Sequence, residues 1–183
     1  MGERPIAPDP ASLGEPLNGF SQCHAGMLSR MRALEELPAL VSAAARARTI
    51  ASDSVSLFRY AVLEHHGEEE AELFPAVLRW ADPGDEHDRV QALVDRLTRE
   101  HRAIEALWKA VEPAIGAAAK GKHADIDGSR VAELVRAYDA HARFEEAHFL
   151  PLAETILGRN GNHLAALGVS IHLRHAAMPP GYI

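Results

Sequence analysis

The sequence has little cysteine, few aromatic residues and no long apolar run. Its one cysteine, Cys23, excludes an intramolecular disulfide framework. Aromatic residues make up only 5% of the 183 residues, whereas apolar residues make up 47% and are mostly Ala, Leu and Val, a balance that favours packed helices over sheets. Because no stretch is apolar enough to cross a bilayer and none resembles a secretory signal, we predict a soluble, cytoplasmic protein that does not bind membranes.

A basic surface is also missing. The formal net charge is −7, and the lysines and arginines are scattered among acidic residues. Nucleic acid is therefore not an expected partner, because phosphate binding needs clustered positive charge. A homodimer is compatible with this composition.

The length predicts one domain, and the periodicity predicts that it is all-α. Four prolines within residues 1–17 indicate an extended lead-in. Residues 18–158 are predicted to form an antiparallel up-down-up-down four-helix bundle, and residues 159–183 a short helix (about 162–175) and a tail. The first predicted helix runs from about Asn18 to Pro38, and the second runs from there to about Trp80. The third covers about residues 86–119 and the fourth about residues 129–157.

An internal repeat carries the polar residues that matter for function. The segment from His65 to Pro75 aligns without a gap with the segment from His141 to Pro151. Glu69 matches Glu145, and each matched pair is separated by 76 positions, the distance from His65 to His141. His24 precedes His65 by 41 positions and His101 precedes His141 by 40, so each half supplies one His and then a His-x-x-x-Glu pair.

The spacing of each His-x-x-x-Glu pair places both side chains on one helix face. The face of His65 and Glu69 also carries Phe58, Val62, Leu73 and Ala76, so we expect it to point into the bundle. A buried, ionised carboxylate without a partner costs several kcal/mol, which bound cations would offset. Imidazole and carboxylate suit iron, zinc or manganese, and carboxylates from opposite helices can bridge two ions. The sequence therefore predicts a two-metal centre, with iron favoured.

Other interpretations of these residues stay open. His66 and Glu70 also have the i,i+4 spacing, although no His stands at the matching position 142. If His65 and Glu69 are the ligands instead, Glu70 faces a neighbouring helix or solvent, or contacts a metal ligand from outside. Tyr138, one turn before His141, either donates a hydrogen bond near the metals or packs in the bundle.

The doubled His-x-x-x-Glu-Glu motif, with Pro five residues beyond the second Glu, resembles the hemerythrin-like, or HHE cation-binding, domain family over about residues 20–157. The resemblance implies a four-helix bundle with a non-haem di-iron site and an oxo or hydroxo bridge. It implies that the terminal ligands are His24, His65, His101 and His141. Glu69 and Glu145 would be the bridging ligands.

The sequence departs from the oxygen-carrying hemerythrins at two positions. Those proteins have a second His four residues after the third-helix His, where this chain has Glu105, and they use an Asp with one-residue longer spacing in place of Glu145. Glu105 as a ligand would stabilise the oxidised state; otherwise one metal keeps an open position. Both outcomes disfavour simple oxygen storage.

The resulting functional hypothesis is a di-iron protein that binds, senses or handles oxygen, nitric oxide or peroxide. One alternative is a di-iron oxidase, a peroxidase or an iron-donating protein that repairs metal clusters. The other is a metal-free helical interaction module in which His and Glu form ion pairs.

Overall fold

The computed structural model describes residues 14–159, with side chains from residue 23 onward. The predicted helix and tail after residue 159, and residues 1–13 of the predicted lead-in, lie outside the described residues. The first helix begins at Gly14, within the segment expected to be extended and four residues before Asn18. Pro16 does not prevent this, because a proline in the first turn lacks only an N–H that has no partner there in any case.

All regular elements within residues 14–159 are helical, as predicted. No helix in this range has an apolar stretch long enough to cross a membrane. The helices are α1 (Gly14–Ala33), α2 (Leu37–Leu57), α3 (Leu63–Glu68), α4 (Phe74–Trp80), α5 (Asp85–Ala119), α6 (Gly128–Phe144) and α7 (Leu150–Gly158). A 3-10 turn (Leu34–Glu36) precedes α2, and π-helical turns (Phe58–Val62, Glu69–Leu73 and Glu145–Phe149) join α2 to α3, α3 to α4 and α6 to α7.

The chain divides into two compact units between Arg46 and Ala47. The first unit contains α1, the 3-10 turn and the start of α2, and its described side chains are exposed. Up to residue 159, the second unit contains three long helical rods: the chain from Ala47 to Trp80, α5, and the chain from Gly128 to Gly158. The first helix of the predicted bundle corresponds to α1, and its place in the topology stays a prediction.

Short loops, with residues that cap or terminate the helices, join the three rods. Gly84, with φ of 98°, precedes α5, and the backbone N–H of Asp82 donates to Glu86 Oε2 at 2.7 Å. Gly121, with φ of 67°, follows the end of α5. Asp127 caps α6 by accepting from the backbone N–H of Ser129 at 2.9 Å.

The second and third π turns occupy equivalent places in the sequence repeat. One begins at Glu69 and is followed by Pro75, and the other begins at Glu145 and is followed by Pro151. Proline has no N–H to donate to the residue four positions earlier, and its ring clashes with that carbonyl. A wider turn relieves the clash, so the backbone N–H of Phe74 bonds to the carbonyl of Glu69 instead.

Two apolar layers form the core of the second unit, with a polar layer between them. The first layer is centred on Phe74, Leu97 and Phe149, and the second on Val62, Ile104 and Leu134. Each rod passes from one layer to the other, so the residues between these positions lie in the middle of the unit. Those residues include the repeated His-x-x-x-Glu segments.

Candidate metal centre

The polar layer contains five buried side chains that carry metal-binding atoms. They are His66, Glu69, His101, His141 and Glu145, and each is at most 6% exposed. Every rod contributes, because Val62 and Phe74 flank the first two, Leu97 and Ile104 flank His101, and Leu134 and Phe149 flank the last two. Apolar packing above and below therefore keeps water from most of this layer.

The ligand atoms form two groups of three. In each group one atom per residue lies within 4.8 Å of the others; the first group is His66, His101 and His141, and the second is His65, Glu69 and Glu145. His65 lies at the rim, with its side chain 46% exposed and its Nε2 3.0 Å from Glu69 Oε1.

Contacts between carboxylates and imidazoles connect the two groups. Glu69 Oε2 lies 3.2 Å from His101 Nε2, and Glu145 Oε2 lies 3.8 Å from His141 Nε2. The other oxygen of Glu69 is the one that contacts His65. Glu69 thus faces both groups, which is the position that a bridging carboxylate requires.

Five buried ligand atoms have no hydrogen-bond partner among the described residues. They are both ring nitrogens of His66, Glu69 Oε2, His101 Nε2 and His141 Nε2. The 3.2 Å contact between His101 Nε2 and Glu69 Oε2 is short enough for a hydrogen bond but its direction is not suitable, so both atoms stay without one. Each such atom costs about 1–3 kcal/mol when nothing binds it. Nitrogen and oxygen donors of this kind fit a first-row transition metal.

Comparison with known proteins gives a family. The family model described as hemerythrin HHE cation binding domain matches residues 15–153. The chain belongs to this family. An uncharacterized protein of Haemophilus influenzae is 25% identical to this hemerythrin-family chain over 163 residues, which cover 85% of this chain and 91% of the relative. No solved structure matches the chain. Metal binding, typically of iron, is the property that membership in the hemerythrin HHE family implies.

The two glutamates of the candidate site differ in acidity. Burial, together with the neighbouring Glu69, raises the pKa of Glu145 to about 9. Burial also acts to raise the pKa of Glu69, but its interactions with His101, Glu145 and His65 lower that pKa overall. Without a metal, Glu145 therefore carries a proton at neutral pH while Glu69 is ionised.

The buried histidines also differ from one another in pKa. Burial lowers the pKa of His66 to about 3, helped by the nearby His101. Burial also lowers the pKa of His141, whereas for His101 the carboxylates of Glu69 and Glu70 outweigh burial and raise the pKa. His66 is thus a neutral imidazole at physiological pH, the form that binds metals.

The structure brings together five of the seven predicted ligands: His65, Glu69, His101, His141 and Glu145. His24 lies on α1 in the first unit, where its side chain is exposed. Glu105 lies outside both groups and accepts a hydrogen bond from Arg102. Their roles as ligands stay predictions.

His66 belongs to the site, although the missing His at 142 had counted against it. The predicted face assumed an unbroken 3.6-residue period, but the π turns add a residue and shift the face. Phe74 and Val77 are therefore buried at 2% and 0%, in place of Leu73 and Ala76. Between the π turns, α3 presents His66 to the interior and His65 to the rim. Pro75 is a sequence signal for the second π turn, after which Phe74 and Val77 are buried, but no proline follows the first π turn, which precedes His66.

Tyr138 packs beside the site without a hydrogen bond to it. Its ring centre lies 6.3 Å from that of His141, and its ring packs against the apolar layer that contains Leu134. It also borders a cavity of about 420 Å³ that opens beside His65, Glu69 and Glu145. A small molecule can therefore approach the carboxylate side of the site.

Proposed function

We propose that this protein holds a non-haem di-iron centre and uses it to bind, sense or handle oxygen, nitric oxide or peroxide. The observation that carries the proposal is the polar layer with its five unpartnered ligand atoms, enclosed between two apolar layers. Six side chains supply two groups of three donors, enough for two ions. A domain whose net stability is about 5–15 kcal/mol does not maintain so many unpaired buried atoms without a compensating ligand.

The two groups of ligand atoms would each hold one ion. His66, His101 and His141 would hold one ion and His65 the other, and Glu69 and Glu145 would be shared between the two, as the resemblance implies together with an oxo or hydroxo bridge. Bound iron supplies electrons for reaction with small oxidants. The apolar layers restrict water, and Glu145 releases its proton when its carboxylate becomes a ligand.

We further propose that α1 is the first helix of the predicted four-helix bundle and that His24 is a metal ligand. Met27, Leu28 and Met31 on α1 are more than half exposed, which is unusual for a stripe of large apolar side chains. The second unit has a cavity of about 630 Å³ with mostly apolar walls, formed by α2, α6 and the first π turn, and His65 borders it. The proposal rests on the sequence repeat, in which His24 precedes His65 by 41 positions as His101 precedes His141 by 40.

The contact between Glu105 and Arg102 favours a site that reacts with a small molecule over one that stores oxygen. Arg102 donates to the Glu105 carboxylate, which would have to leave this partner in order to bind a metal. A site without Glu105 keeps an open coordination position for a small ligand. The cavity beside His65 and Glu145 gives such a ligand a route.

Metal analysis tests the proposal. Chelator-stripped protein, reconstituted with Fe(II) under anaerobic conditions, should retain about two irons per chain and develop a charge-transfer absorption band in air. Replacing Glu69 and Glu145 together by alanine should remove the iron, whereas Glu154→Ala, at an exposed position on α7, should not. Failure of the reconstituted wild type to retain metal would refute the proposal and support a metal-free interaction module.

A further inference from the structure

Two histidines of the site form hydrogen bonds through Nδ1 to carboxylates outside the two ligand groups. His101 Nδ1–H donates to Glu70 Oε1 at 2.8 Å, and His141 Nδ1–H donates to Glu100 Oε2 at 3.2 Å. The two rings are 0% and 3% exposed, whereas the carboxylates lie further out at 23% and 27%. Each carboxylate comes from a different rod than its histidine, so each contact also joins two rods.

An arginine holds each of these carboxylates in turn. The Arg102 guanidinium donates to Glu70, and Arg96 Nε donates to Glu100 Oε1 at 2.7 Å. The Arg96 guanidinium also lies over the ring of Phe144, 3.4 Å from its centre. The structure thus contains the same chain of contacts twice, from arginine to glutamate to histidine.

The Nδ1 contacts determine which nitrogen can bind a metal. An ionised carboxylate only accepts, so Nδ1 must carry a proton, and in the neutral imidazole that binds a metal the lone pair is then on Nε2. The Nε2 atoms of both histidines are among the buried atoms without a hydrogen-bond partner, and both point into the site. Neither ring nitrogen of His66 has such a carboxylate, so this feature distinguishes two of the three imidazoles in the first group.

We infer that Glu70 and Glu100 are positioning residues that fix His101 and His141 as Nε2 ligands and strengthen them as electron donors, with Arg102 and Arg96 holding the carboxylates in place. The inference rests on the proposed metal centre and adds residues that bind no metal themselves. Carboxylate partners of this kind orient metal-binding imidazoles and raise their basicity. The sequence repeat does not mark them, because Glu146, the counterpart of Glu70, is exposed.

Metal titration of four variants tests the inference. Glu70→Ala and Glu100→Ala should each weaken binding of Zn(II) or Co(II) to chelator-stripped protein by about 10- to 100-fold. Glu70→Gln and Glu100→Gln should lose less, because the amide oxygen still accepts from Nδ1–H and the shape is kept. Glu146→Ala is the matched control from the other half of the repeat and should show no loss.

A second readout separates positioning from a structural role. In iron-loaded protein, Glu70→Gln and Glu100→Gln should raise the reduction potential, because a less basic imidazole stabilises the oxidised metal less. The Co(II) absorption spectrum should shift as well. Unfolding in urea without metal measures any loss of structure separately, and the glutamine variants keep the test valid if the alanine variants do not fold.

The outcomes distinguish this inference from the proposed function. If the wild type binds no metal, both fail. If the wild type binds two ions and the four variants match its affinity, spectrum and potential, the positioning roles are refuted while the metal centre stands.

Discussion

His66→Leu should stabilise the metal-free protein and destabilise the metal-loaded one. His66 is 1% exposed, and both of its ring nitrogens lack partners among the described residues. Since its pKa lies near 3, it is buried as a neutral group at pH 7. Leucine has a similar volume and no polar atoms, so the change removes two unsatisfied atoms without opening a large cavity.

The size of the effect follows from these contacts. Two unsatisfied atoms cost about 2–6 kcal/mol together. The substitution loses the ring stack on His101, whose centre lies 3.8 Å away, worth about 0.5–1.5 kcal/mol, and leucine fits the space imperfectly at a cost of about 1–1.5 kcal/mol. With the middle of each range, the net expectation is a gain of about 2 kcal/mol in the free energy of unfolding without metal.

Metal reverses the order of stability. A ligand at a concentration of a thousand times its dissociation constant stabilises the folded state by about 4 kcal/mol. The variant should lose most of the stabilisation that comes from the ion held by His66, His101 and His141. Urea unfolding followed by circular dichroism, once with a chelator and once with excess Zn(II), measures both quantities. His148→Leu is the control, because this histidine is exposed on the third π turn. A variant that is less stable than the wild type without metal, yet gains as much from Zn(II), would show that the unpartnered atoms are not ligands.

Three further predictions concern acidity, backbone and packing. Metal binding should release a proton from Glu145, because burial and Glu69 hold its pKa near 9, and calorimetry in buffers of different ionisation enthalpy should find less proton release in Glu145→Gln. Because this pKa in the folded metal-free protein is above the unfolded value, the contribution of Glu145 to stability should fall as the pH rises from about 4.5 to 9. Pro151→Ala restores an N–H and removes the ring that the π turn accommodates, so a regular α-helical turn can form. The substitution should stabilise the metal-free protein by up to about 3 kcal/mol while lowering Zn(II) affinity, and an unchanged affinity would show that the π turn does not place Glu145. Gly67→Ala should stabilise the protein by about 1 kcal/mol in urea unfolding with no change in metal affinity, because nothing lies within 4 Å of the added methyl group; a loss of stability would mean that this position needs glycine.

Much of the site could be predicted from local spacing. The aligned segments from His65 and His141 place imidazole and carboxylate one turn apart, and this relation survives folding because i,i+4 neighbours share a face wherever the helix is regular. His101 was found through the repeat, and its burial at 0% agrees with the apolar residues around it. The helix boundaries at Trp80 and Ala119 also follow from nearby turn residues.

His66, by contrast, could not be assigned from the repeat. Its counterpart at position 142 is Ala, and a constant 3.6-residue period places His65 and Glu69 on the inner face. The π turns change that phase, and a periodicity argument has no means of detecting an added residue in a turn. The prolines at 75 and 151 signal that the turn is irregular, but they do not state how far the face rotates.

The sequence by itself determined the helical class, the rods of the second unit and most of the candidate donors, because these depend on interactions within one helix. The tertiary structure decided which donors share a group, that Glu69 faces both groups, and that Glu70 and Glu100 support His101 and His141. Those relations join residues 31 and 41 positions apart, on different rods. They depend on how side chains pack between two apolar layers, and no pattern within a single helix encodes that packing.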